Sequence, residues 1–180
     1  MMRTIFQQRL REQKKEKGYS LLEMVIYIGV FAFLSVVVVN SLLITTSSFL
    51  KIRTERNLNN TALLSMERIV RETRLANNVE ILNSTFDVNP GRLMLDTVDS
   101  AGLPKTVEFY VSAGRLLVKE NGVDTGALTP SNVELQNFVF RLITNGSVQA
   151  VKVEMALSDT RVATSSPRSF YNTALLRGSY

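Results

Sequence analysis

From Met24 to Ile44 the chain reads MVIYIGVFAFLSVVVVNSLLI, 21 residues without a charge. Coiled as a helix, this run rises about 31 Å, which matches the hydrocarbon thickness of a bilayer. Ser35, Asn40 and Ser41 are its only clearly polar members. A core helix covered on every side is the alternative, but it needs a larger domain around it than a chain of 180 residues supplies. The pattern therefore predicts a membrane-spanning helix.

The pattern then changes without a break in the backbone. No proline or glycine occurs between Gly29 and Pro90. These are the strongest local breakers, so the helix is expected to run on to Asn77 or Asn78, a span of about 85 Å. Its second half is amphipathic: Leu58, Ala62, Met66, Ile69, Thr73 and Ala76 recur at spacings of three and four, and Leu63 and Val70 widen the stripe. Glu67 with Arg71, and Arg68 with Glu72, are placed as i,i+4 pairs on the wet side. The apolar stripe calls for a sheet to cover it.

After Asn78 the period becomes two. Val107, Phe109 and Val111 alternate with Thr106, Glu108 and Tyr110; Phe138, Phe140 and Leu142 alternate with Val139 and Arg141; Val151, Val153, Met155 and Leu157 alternate with Lys152, Glu154 and Ala156. These read as half-buried antiparallel strands. Turn signals stand between them at Asn89-Pro90-Gly91, Asp99 to Gly102, Asn121-Gly122, Thr129-Pro130 and Asn145-Gly146, the last a hairpin signal. The expected fold class is α+β: one long helix, with its amphipathic half packed on a small antiparallel sheet.

Charge adds an orientation. Residues 1–18 carry six Lys/Arg against Glu12 and Glu16, a net of +4, which leaves +1 of the chain's +5 for the rest. The basic character thus belongs to the segment before the apolar run, and no basic-aromatic surface pattern follows it, so no nucleic-acid partner is expected. Lys51, Arg53 and Arg56 follow the run. The excess on the leading side puts the N-terminus in the cytoplasm and the remainder outside. A conventionally cleaved signal peptide would have a shorter apolar stretch and a small-residue cleavage site after it, whereas here the chain continues TTSSFLKIRTER.

The junction KKEKGYSLLEMVIYIGVFAFLS resembles the N-terminal signal of type IV prepilins and type II secretion pseudopilins. The resemblance implies a basic leader ending in Gly18, cleavage after it by a prepilin peptidase, and N-methylation of Tyr19 as the first mature residue. Glu23 then stands at the fifth mature position, where it is implied to pair with the Tyr19 amine of a neighbouring subunit and set the axial register. Cleavage there would remove the basic leader and keep the apolar helix, and amine and carboxylate attract strongly at low dielectric. Ser20-Leu21-Leu22-Glu23 also fits a helix capping box, and a first-turn glutamate suits the helix dipole. Three departures stand out: Tyr19 replaces the usual phenylalanine or methionine, Asn40 stands where major pilins carry a proline, and the chain has no cysteine for a C-terminal disulfide. Residues 66–79 (MERIVRETRLANNV) and 166–178 (SPRSFYNTALLRG) are similar to minor, J-type pseudopilins.

The implied protein is a structural subunit, a minor pilin or pseudopilin, of a type IV pilus or a secretion or DNA-uptake pseudopilus. Its segments are a leader (1–18), the transmembrane half of the long helix (19–50) and an exported body (51–180) in the pilin lollipop form. The implied partners are the prepilin peptidase, other pilin or pseudopilin subunits, the assembly motor and platform, and the cytoplasmic membrane. An uncleaved, signal-anchored binding module is the alternative, and an anchored enzyme ranks below it. With neither histidine nor cysteine, thiolate and imidazole catalysis are excluded, and no phosphate-loop, dinucleotide or calcium-loop motif is present. No catalytic residue, cofactor or metal is expected. Asp96 and Asp99 read as a turn onset, and Glu120, Asp124 and Asp159 as solvated charges.

Overall fold

The computed structural model describes residues 18–146, 148–161 and 166–177, so the predicted leader lies outside it except for Gly18. The chain divides into two units, one ending at Phe49 and the other beginning at Leu50. Helix α1 spans Leu21–Leu75 and so contributes to both.

In the first unit α1 is apolar on every side, and no side chain of its most hydrophobic stretch is buried. Several of its hydroxyls are satisfied by the helix backbone. Ser35 donates to the Phe31 carbonyl at 2.8 Å, Thr46 to Leu42 at 2.9 Å and Ser48 to Ile44 at 2.9 Å. Internal satisfaction of this kind is what a hydrocarbon surrounding requires.

In the second unit α1 buries one face, formed by Leu58, Thr61, Ala62, Ser65, Met66, Ile69, Val70, Glu72 and Thr73. The expected stripe is there, but Leu63 is not part of it: that side chain is 66% exposed. The small Thr61 and Ser65 line the covered face instead, and they let the backbone approach the sheets closely. The ion pairs are also corrected. Arg68 does reach Glu72, at 3.1 Å, yet Glu72 is buried and not on the wet side. The Glu67–Arg71 pair does not form among the described residues; Arg71 lies 3.9 Å from Glu72 instead. The helix stops at Leu75, two or three residues short of the expected end. The Asn77 amide donates to the Asp96 carbonyl at 2.8 Å, so strand pairing takes over where helix bonding would have continued.

Two antiparallel sheets follow where one was expected. The first is a meander of five strands in sequence order: β1 (Asn78–Val79), β2 (Leu93–Val98), β3 (Pro104–Ser112), β4 (Arg115–Glu120) and β5 (Val123–Ala127). The second has three: β6 (Val133–Asn145), β7 (Val148–Asp159) and β8 (Arg168–Leu175). They separate at Thr129-Pro130, where proline offers no ladder donor. Asp96, expected in a turn, lies in β2, while Asp99 does open one: its Oδ1 accepts the amides of Ala101 and Leu103 at 2.8 and 2.9 Å.

The β4–β5 connection is Asn121-Gly122, with φ of 51° and 80°. Both values are left-handed, as a two-residue hairpin demands. β5 is the outer strand of its sheet and buries none of its residues, and the register shifts between Val118 and Lys119 where β4 pairs with it. In β6 the buried residues change from odd to even positions, Val133 and Leu135 and then Phe138 and Phe140. The register shift between Leu135 and Asn137 accounts for this, because one extra residue restores the inward phase.

One core joins helix and sheets. Leu58, Met66 and Ile69 pack in the same cluster as Phe109, Leu116 and Val118 of the first sheet and Phe138, Phe140, Val151 and Met155 of the second. Phe138 and Phe140 meet edge to face at 4.7 Å. The loop before β2 is stapled to β6: Asn89 Oδ1 accepts the Phe138 amide at 2.9 Å, and the Gly91 amide donates to the Phe138 carbonyl at 2.7 Å. A Cβ on Gly91 would stand 3.1 Å from the Phe138 carbonyl oxygen and from the Phe140 nitrogen, so the approach is made for glycine.

Charged groups close the rim. Arg68 Nη2 lies 2.6 Å from Glu120 Oε1, and Lys105 Nζ lies 2.8 Å from Glu120 Oε2, so helix, β3 and β4 share one ionic cluster. The Lys105 hydrogen bond, more than any other contact, holds the Glu120 carboxyl below its ordinary range. Asp159 is buried rather than solvated. Arg161 Nη2 binds its Oδ2 at 2.6 Å, and Asn57 of α1 reaches the same oxygen at 3.5 Å. The Arg161 hydrogen bond draws the Asp159 carboxyl down from 3.8 to about 2.

Two outcomes are expected. Phe109→Ala leaves a cavity in the shared core and lowers stability by about 3–5 kcal/mol, measured by denaturant unfolding of the full chain in detergent. Asp159 is more acidic folded than unfolded, so its contribution is complete above pH ~4 and is lost as the pH falls toward about 2. Arg161 is half-exposed, which reduces the gain through screening. Asp159→Asn is therefore expected to cost about 1–2 kcal/mol at neutral pH, with the difference from wild type closing in the same titration below pH ~2.

Candidate functional site

Gly18, Tyr19 and Ser20 precede α1 outside any helix or strand, and Leu21 opens the helix. Gly18 is exposed, and a Cβ added to it would meet nothing within 4 Å. Nothing in the fold therefore requires glycine at this position. Tyr19 is 73% exposed. Gly18 and Tyr19 thus lie together, exposed and immediately before the apolar helix.

Glu23 sits in the first turn of α1, where the helix dipole favours a carboxylate. Ser20 does start the helix, its carbonyl accepting the Met24 amide at 3.1 Å. The reciprocal side-chain bonds of a capping box are absent among the described residues. Glu23 Oε1 instead accepts the Tyr27 hydroxyl at 3.0 Å. The sequence reading passed over Tyr27; its i,i+4 distance from Glu23 was the available signal. Glu23 is the only charged residue between Leu21 and Leu50.

A concavity lies on the body. It is a cleft of about 300 Å³ beside the Asn89–Gly91 loop, lined by Thr85, Arg92, Glu108, Tyr110 and Lys119 among others. Its charges face one another. Arg92 Nη2 is 2.5 Å from Glu108 Oε1, and Lys119 Nζ stands 4.2 Å above the Tyr110 ring. The Tyr110 hydroxyl donates to Asp124, and that bond, more than any other contact, raises its pKa from 10.0 to about 12. Glu108 was expected on a wet strand face but is buried beside Arg92. Among the described residues no group of three or more His, Cys, Asp or Glu is placed to hold a metal.

Comparison of the chain with protein-family models, with curated proteins and with solved structures found no match. What the chain establishes by itself is coarser: a long apolar N-terminal helix able to serve as a membrane anchor, and an α+β body of antiparallel sheets.

The open surroundings of Gly18 generate a prediction. Gly18→Val leaves the thermal midpoint of the uncut chain in detergent unchanged, so any loss of processing in this variant reports on cleavage and not on folding.

Proposed function

We propose that this chain is the precursor of a filament subunit of the type IV pilin and type II secretion pseudopilin kind. A prepilin peptidase cuts after Gly18 on the cytoplasmic side and methylates the Tyr19 amine. The mature subunit waits in the cytoplasmic membrane with its body outside. An assembly motor and platform then draw it into a filament of like subunits, where Glu23 pairs with a neighbour's Tyr19 amine. The body takes the pilin form, the chain acts as a minor subunit, and it performs no catalysis of its own.

The observation that carries this reading is the arrangement around Gly18. An exposed Gly18-Tyr19 stands directly before a helix whose apolar stretch is covered by none of the described residues. Apolar surface of that extent needs lipid or other copies of itself. Cleavage at Gly18 preserves the helix, whereas cleavage beyond it would remove the anchor.

The mature end decides the matter. Expressed with an active prepilin peptidase, the chain is expected to begin at N-methylated Tyr19 by mass spectrometry, and to keep its leader without the peptidase or as Gly18→Val. Glu23→Ala is expected to be cut normally and to be lost from sheared filaments. An intact leader, with a control substrate cut in the same cells, makes this an uncleaved signal-anchored protein.

A further inference from the structure

Glu23 raises a question that pairing in a filament leaves open, namely what satisfies its carboxylate before a neighbour arrives. A carboxylate at the edge of the hydrocarbon is costly without a donor. In the first unit the described hydroxyls of Ser35, Thr46, Ser47 and Ser48 all bond to backbone carbonyls of their own helix. The Tyr27 hydroxyl alone among them goes to a side chain, reaching Glu23 Oε1 at 3.0 Å. Glu23 is partly covered where Leu22, Met24 and Val25 are exposed.

Resting on the filament reading above, we propose that Tyr27 is the positioning residue for Glu23. Its hydroxyl supplies the donor that the waiting subunit lacks and fixes the carboxylate one turn below the phenol. Ionised, the carboxylate has two oxygens and about four lone-pair sites. The phenol engages Oε1 and leaves Oε2 to receive the amine of the incoming subunit, which keeps two N–H donors after N-methylation. The two bonds are therefore compatible, and Tyr27 need not leave when the neighbour docks. A tyrosine at this depth also suits the membrane interface through its ring alone. Tyr27→Phe separates the two roles, because it keeps the ring and removes the O–H.

The test uses the full precursor in native membranes. Glu23 is labelled with a hydrophobic carbodiimide, the adduct is located by mass spectrometry, and filaments are sheared from cells that also hold the peptidase and assembly machinery. With the shielding phenol removed, Tyr27→Phe is expected to label at Glu23 several-fold faster than wild type. It is also expected to be cut after Gly18 to the same extent and to yield several-fold fewer filaments. Equal labelling overturns the Tyr27–Glu23 bond. Faster labelling with wild-type filament yield overturns the positioning role. Wild-type yield from Glu23→Ala overturns the pairing reading and the positioning role with it, and this failure is distinct because labelling is read on the uncut chain.

Discussion

The covered face of α1 between Leu58 and Thr73 is the surface on which both sheets close. Neither sheet has a core of its own. The five-stranded meander brings Phe109, Leu116 and Val118 to it, and the three-stranded sheet brings Phe138, Phe140 and Met155. Small sheets and isolated hairpins are marginal in water until a further apolar layer covers them, and here the helix supplies that layer to two sheets at once. The same dependence explains the small residues facing the sheets. Ala62 and Ser65 permit the approach, although the Ser65 hydroxyl is buried without a partner among the described residues, a local cost of about 1–3 kcal/mol that the surrounding apolar contacts offset.

Polar groups fix the positions that apolar packing leaves free. Arg68, Glu72, Lys105 and Glu120 join the helix to β3 and β4, and Asn57 with Asp159 and Arg161 joins it to the end of β7. The Asn89–Gly91 loop fastens the approach of β2 to β6 through the Phe138 backbone. The two sheets are thus connected by a loop and a helix as well as by their shared interior.

Long, strongly periodic features were legible in the sequence. The apolar run and the silence of Gly and Pro from Val30 to Asn89 predicted the helix to within a turn, Asn121-Gly122 marked a turn and Asn145-Gly146 a hairpin, and both are present. Features set by three-dimensional neighbours were not legible. Leu63 fits the stripe by hydrophobicity, yet its direction puts it in the open. Glu72, Glu108 and Asp159 look like surface charges until Arg68, Arg92 and Arg161 are placed beside them. The division into two sheets depends on where β6 goes after Pro130, which no local signal states. At the N-terminal junction, Gly18, Tyr19 and Glu23 were read from their order along the chain, whereas Tyr27 emerged only from helical geometry.

The outer strand β5 has a consequence for crowding. On the proposed filament reading, copies held in one membrane plane would meet at high local concentration, and an open sheet edge is a template on which a second body can add its own strand. β5 is poorly suited to that growth. It is five residues long, contains a glycine at φ 132°, pairs with β4 across a register shift and carries Asp124. Each feature shortens or twists the row of free backbone groups, so this edge resists fusion between neighbouring bodies and leaves lateral contact to side chains, which can be broken again.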